Sequence, residues 1–160
     1  MKYFEDFAPG DTFASRGRTV TETDIVNFAG LSGDFFPLHV DEEFAKSTPF
    51  GRRVAHGALI FSIATGLSTQ MSLLTDSLIA LYSVERMRFA KPVFAGDTIR
   101  VSRKVTEVLA RGADRGVVTF SVTVRNQREE PVLVFSDRLI VRRKGNQPSD
   151  AEAAVPVADR

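Results

Sequence analysis

Gly57-Ala58-Leu59-Ile60-Phe61-Ser62-Ile63-Ala64-Thr65-Gly66-Leu67-Ser68-Thr69-Gln70-Met71-Ser72-Leu73-Leu74 is apolar or small at nearly every position. Such a run predicts a helix with little surface for water, a central core helix that other elements must wrap. Ser, Thr and Gln interrupt it too often for a membrane span, and no other segment is long and apolar enough for one. The rest of the fold follows from what supplies the wrapper.

Four β-rich runs with partial alternation come after the helix: Ser77–Phe89, Thr98–Val108, Val117–Asn126 and Val132–Arg142. Turn material such as Ala95-Gly96-Asp97 and Arg111–Gly116 separates them. Strands in succession favour an antiparallel sheet, and such a sheet has one face to cover, which the apolar helix provides. Upstream, Asp11–Val20 reads as a first strand after the turn pair Pro9-Gly10. Thr21 opens a short capped helix, with Asp24 at its third position and Ile25, Phe28 and Ala29 on its apolar side, until Gly30–Gly33 ends it. Asp41-Glu42-Glu43 suits a further helix start, and Thr48-Pro49 its close. The expected class is α+β, an antiparallel sheet wrapped around one long central helix. Residues 1–144 form one domain, and residues 145–160, without a usable apolar period, a tail.

With 160 residues, 43% hydrophobic and 26% charged, the chain has the makings of one globular domain. A net charge of +1 gives no basic surplus for nucleic acid. The absence of cysteine excludes disulfides, thiolate nucleophiles and cysteine zinc sites, and fits a reducing compartment such as the cytoplasm. The N-terminus MKYFEDFAPGDTF lacks the basic start and apolar stretch of a secretory signal.

The chemistry is concentrated in Gly33-Asp34-Phe35-Phe36-Pro37-Leu38-His39. Pro37 removes a backbone donor and pushes Phe36 towards an extended conformation, so Asp34 and His39 are expected in a loop that aims both at one point. An aspartate and an imidazole sharing one water molecule suit acid–base catalysis near neutral pH. The structural alternative is that Asp34 accepts backbone amides as turn residues do and His39 donates to a carbonyl near the following helix. Further on, Arg53-Val54-Ala55-His56-Gly57 leads into the helix. Gly57 either offers an unobstructed amide that polarises a carbonyl oxygen or serves close packing against the sheet. His56 fills the approach to the helix. Asp34, His39, Asp41 and His56 match no familiar metal-ligand spacing, and no metal is expected. Arg52, Arg53, Arg86, Arg88 and Lys91 are candidates for phosphate contacts.

Three segments together resemble the MaoC-like dehydratase family, the (R)-specific enoyl-CoA hydratases with the hot-dog fold: Ser32–His39, Arg53–Gly57, and Phe89-Ala90-Lys91-Pro92-Val93-Phe94-Ala95-Gly96-Asp97-Thr98. The resemblance implies a catalytic dyad of Asp34 and His39, with the oxyanion amide on Gly57. It places Phe36, Pro37, Arg53, Val54 and His56 along the substrate. It implies a homodimer joined edge to edge through its sheets. The substrate is an acyl-CoA or acyl-carrier thioester, hydrated from the trans-2-enoyl to the 3-hydroxyacyl form, with no cofactor beyond the coenzyme A of the substrate. An acyl-CoA thioesterase and a non-catalytic acyl-thioester binding module are the alternatives. The family's motif commonly carries asparagine where this chain has Phe36, so a polar anchor is replaced by apolar bulk.

Overall fold

The structure, a computed structural model, describes residues 2–145; the expected tail lies outside them apart from Gly145. The long helix is α4, Gly57–Gln70, preceded by α1 (Glu22–Ser32), α2 (Pro37–Val40) and α3 (Glu42–Lys46). The strands are β1 (Thr12–Ala14), β2 (Arg18–Thr19), β3 (Leu78–Phe89), β4 (Thr98–Arg111), β5 (Arg115–Arg125) and β6 (Pro131–Arg142). They pair in the order β1-β4-β5-β6-β3, with β2 also on β4, and every pairing is antiparallel. The sheet curls around α4, which is the expected hot-dog arrangement.

The alternation of the strands explains the core. Ile99, Val101 and Val105 of β4, Val118, Phe120, Val122 and Val124 of β5, and Leu133, Phe135, Leu139 and Val141 of β6 are buried on the side facing the helix. They meet Leu59, Ile60, Ile63, Ala64 and Leu67 of α4. Each buried large aliphatic or aromatic side chain contributes about 1.5–3 kcal/mol relative to exposure, so this seam dominates the fold's stability.

Three expectations need correction. The helix ends at Gln70 rather than Leu74, and its outer side is open: Ala58, Ser62, Thr65, Gly66 and Thr69 are exposed in the single chain. Small side chains lose little by exposure. The hydroxyls of Ser62, Thr65 and Thr69 donate to carbonyls of the preceding turn, at 2.9, 2.7 and 3.1 Å. The single strand expected at 11–20 is split in two. At the break, the Ser15 N–H donates to the Val101 carbonyl while the Val101 N–H donates to Ser15 Oγ, both at 2.9 Å. A side-chain oxygen thus replaces a ladder carbonyl. Finally, His39 sits on a helical turn rather than an open loop, because Pro37 occupies the first helical position, where its missing N–H costs nothing.

Helix α1 is fixed at both ends. Thr21 Oγ1 accepts from the Asp24 N–H at 3.1 Å, and Asp24 Oδ2 accepts from the Thr21 N–H at 2.8 Å. Gly33 closes the helix with φ +76° and its N–H bonded to the Ala29 carbonyl at 2.9 Å. An alanine there meets no neighbouring atom and suffers only the left-handed backbone. Gly33→Ala is therefore expected to cost about 1–2 kcal/mol, read as a lower urea midpoint with an unchanged slope.

A second brace ties the turn after β5 to the segment after β3. Glu130 accepts from Asn126, Lys91 and Arg128 at 2.8, 2.5 and 2.9 Å. The Asn126 amide first, then the two cations, hold its carboxyl at about 2. A depressed carboxyl stabilises the fold above its unfolded value of about 4.3, and that contribution is lost as pH falls through the folded value. The gap in melting temperature between wild type and Glu130→Gln is expected at pH 7 and should close as pH falls from about 5 to about 2.

Candidate active site

Gly33 turns the chain out of α1 and delivers Asp34. Ser32 Oγ accepts from the Asp34 N–H at 3.2 Å, and Asp34 Oδ1 accepts from the Phe36 N–H at 3.2 Å, an Asx turn that leaves the carboxylate exposed. Pro37 then starts α2, which carries His39. The Val54 N–H donates to the Leu38 carbonyl at 3.2 Å, and the Val54 carbonyl accepts from His39 Nδ1 at 2.6 Å. With its proton on Nδ1, the imidazole keeps the Nε2 lone pair free.

Beneath it lies His56, 2% exposed, its ring stacked on that of His39 with centroids 3.8 Å apart. Its Nε2 donates to the Asp34 carbonyl at 2.9 Å, and Phe28 closes its other side at 5.1 Å. Its Nδ1 is buried without a partner. One side chain thus holds the backbone of Asp34 and supports the ring of His39. Among the described residues, Asp34, His39 and His56 form a group whose ligand atoms gather within 4.8 Å.

A groove of about 490 Å³ runs past His39, Phe50, Val54, Gly57, Phe89 and Lys91. Gly57 is the first residue of α4, and the His56 side chain makes no capping bond, so the helix's leading amides find no acceptor within it. Close packing also requires this glycine: a Cβ would stand 2.8 Å from the Phe89 ring. Of the two roles foreseen for Gly57, close packing against the sheet has this contact with β3 beside it. Phe36 packs edge-on to His39 at 6.3 Å and to Phe44 at 6.0 Å, forming an apolar wall where a polar anchor is common. Pro37 sets the turn beneath it.

Other candidates are committed elsewhere. Arg53 lies between Glu42 at 3.0 Å and Glu22 at 2.5 Å, joining α1 to α3 rather than lining the groove. Arg52 stacks on Phe94 at 4.0 Å; Lys91 lines the groove with its ammonium paired to Glu130. Arg86 and Arg88 are exposed on β3, Arg86 with φ +54° at an irregularity in the pairing with β6.

Two residues absent from the sequence-based candidates stand on the helix-facing side of the sheet. Arg103 and Asp137, 6% and 5% exposed, pair at 2.6 Å beside a second cavity of about 320 Å³. The signal was in the alternation: Ile99-x-Val101-x-Arg103-x-Val105 and Leu133-x-Phe135-x-Asp137-x-Leu139 each put a charge at an inward position. Burial pushes the Asp137 carboxyl up, against the pull of the guanidinium.

Residues 6–128 match the MaoC like domain family. The chain is 48% identical over 100 residues to Protein MaoC of Klebsiella aerogenes, covering 62% of this chain but only 29% of that protein's length. It is 37% identical over 124 residues to the (R)-specific enoyl-CoA hydratase of Rhodospirillum rubrum, covering 77% of this chain and 81% of that one. A crystal structure described as the monoamine oxidase regulatory protein from Archaeoglobus fulgius superposes with a TM-score of 0.85 at 44% identity, covering 89% and 95% of the two chains. With the family's region matched from before β1 into the turn after β5, the chain belongs to the MaoC-like domain family.

Proposed function

We propose that the protein is an (R)-specific hydratase of trans-2-enoyl thioesters, acting reversibly on acyl-CoA or acyl-carrier substrates. The observation that carries this is the His39 imidazole, held by the Val54 carbonyl through Nδ1 so that Nε2 stays free, on the groove that Gly57 lines and in one group with Asp34 and His56 whose ligand atoms lie within 4.8 Å of one another. Asp34 and His39 together hold one water. Its oxygen bonds to C3 as the C2–C3 π electrons move towards the thioester, and its proton passes to the dyad. The Gly57 N–H donates to the thioester oxygen and stabilises the charge growing on it, a contribution of about 3 kcal/mol for a well-placed donor. A proton from the same unit then reaches C2, so the dyad returns to its starting state and the substrate has gained one water. The two groups act as a coupled pair.

The hydratase relative supports both the reaction and its stereochemistry. The free edge of β3 supports a homodimer joined strand to strand, since β3 ends the sheet and leaves Leu81, Tyr82 and Phe89 exposed along it. The cysteine-free composition supports a cytoplasmic setting. Among the described residues, no helix is long and apolar enough to cross a membrane.

Hydration is followed as loss of the conjugated enoyl absorbance of crotonyl-CoA. Asp34→Asn and His39→Ala are each expected to lower kcat by about 10²- to 10⁴-fold. Full activity in either variant overturns the dyad, and release of free coenzyme A in place of hydration establishes a thioesterase.

His56 is a positioning residue in this scheme, because it touches Asp34 and His39 and is not among the residues that line the groove. His56→Leu removes the donor to the Asp34 carbonyl, and a displacement of about 1 Å at the dyad costs on the order of 10²-fold in kcat. KM should hold, and His56→Gln, which keeps an N–H donor, should recover part of kcat. Equal kcat in both variants and wild type overturns this role.

A further inference from the structure

Resting on the hydratase reading, we propose that the second cavity receives the far end of the acyl chain and selects one carrying a neutral hydrogen-bonding oxygen group, a hydroxyl, over a plain alkyl end. The two cavities lie along one helix. Gly57 and Ala58 line the groove of the dyad, while Phe61, Thr65 and Ser68 line the second cavity. At 1.5 Å per residue, Thr65 stands about 12 Å from the Gly57 amide along the axis, within reach of a medium-length acyl chain. Phe61 on the helix and Leu81 on β3 give this cavity apolar walls suited to methylene groups.

Its polar end is built differently. Arg103 extends from β4 over the Phe120 ring, with its guanidinium carbon 4.2 Å from the centroid, and Nη2 donates to Asp137 Oδ1 on β6 at 2.6 Å. That is the only hydrogen bond either side chain makes among the described residues. Yet among the described residues the one polar side-chain atom sealed from solvent without a partner is His56 Nδ1, at the other site. The remaining N–H groups of Arg103 and the second oxygen of Asp137 therefore open on the cavity they line.

Such a pair is neutral as a unit and offers donors beside an acceptor. A hydroxyl accepts from Arg103 and donates to Asp137, satisfying both. An alkyl end strips water from these groups and replaces none of its bonds, and sites built to hydrogen-bond a substrate reject analogues that lack the partner. A carboxylate end meets the charge of Asp137 and loses part of what it gains from Arg103.

The test compares kcat/KM for trans-2-decenoyl-CoA, its ω-hydroxy derivative and its ω-carboxy derivative in wild type and in the Arg103→Met/Asp137→Leu double variant. Crotonyl-CoA, too short to reach the cavity, reports the integrity of the fold and the dyad in both proteins. Wild type is expected to favour the ω-hydroxy substrate by about tenfold or more over decenoyl-CoA, and the double variant to reverse that order with crotonyl turnover retained. An equal or opposite preference in wild type, or a best rate with the ω-carboxy substrate, overturns the proposal. Should the double variant lose crotonyl turnover, the wild-type preference decides alone. If wild type does not hydrate crotonyl-CoA, the hydratase reading itself falls. Calorimetric titration of decanoyl-CoA against ω-hydroxydecanoyl-CoA then reads the selectivity directly, and equal affinities overturn it.

Discussion

Helix α4 has one apolar side that must leave water, and the placement of nearly everything else follows from covering it. Leu59, Ile60, Ile63, Ala64 and Leu67 supply that side, and the inward residues of β4, β5 and β6 close on it. The sheet is antiparallel, with β4, β5 and β6 neighbours in chain order, while β3 stands beyond β6 at the edge and β1 and β2 join β4 from before the helix. A sheet that curls over one side of a helix leaves the other side bare. The bare side here consists of small and hydroxyl residues, the composition that tolerates either water or a closely approaching ligand.

The candidate site hangs from the start of that same helix. His56 is locked into the core one residue before α4 and reaches up to hold the Asp34 carbonyl and support the ring of His39. Val54, two residues earlier, sets the histidine's tautomer through its carbonyl. Asp34, His39 and the Gly57 amide are thus positioned by a single run of chain, Val54–Gly57, whose own place is fixed by the helix it enters. The geometry of the candidate site depends on core packing rather than on loop rigidity, which suits the proposed dyad, whose groups must be held to within fractions of an ångström.

Much of this was legible in the sequence. The apolar run, the four strands after it, the Thr21 cap and the Gly33 stop all have local causes, and the structure has each of them. The split of the first strand was not legible, because Ser15 Oγ replaces a ladder carbonyl only once Val101, far away in sequence, is beside it. The open side of α4 was hidden for a related reason: hydropathy does not separate a side that is apolar from one that is merely small. The role of Arg53 depended on Glu22 and Glu42 arriving from two other helices. The stacking of His39 on His56 likewise exists only after folding. Arg103 and Asp137 are different, since the strand alternation marked both as inward charges.

That inward pair is hard to explain by stability. Taking a guanidinium and a carboxylate out of water costs several kcal/mol per ion, and apolar residues of similar volume are often neutral or stabilising in the same place. Arg103 and Asp137 occupy inward positions whose strand neighbours Val101, Val105, Phe135 and Leu139 are all apolar. Phe36 is the complementary case, an apolar ring beside the imidazole at a position where the family commonly carries a polar anchor. Phe36 thus sets an apolar surface near the start of α4, and the Arg103–Asp137 pair sets a polar one about 12 Å along it. On the proposed reading, the groups that carry the reaction stand at the helix start, and those that select the substrate stand along its open side.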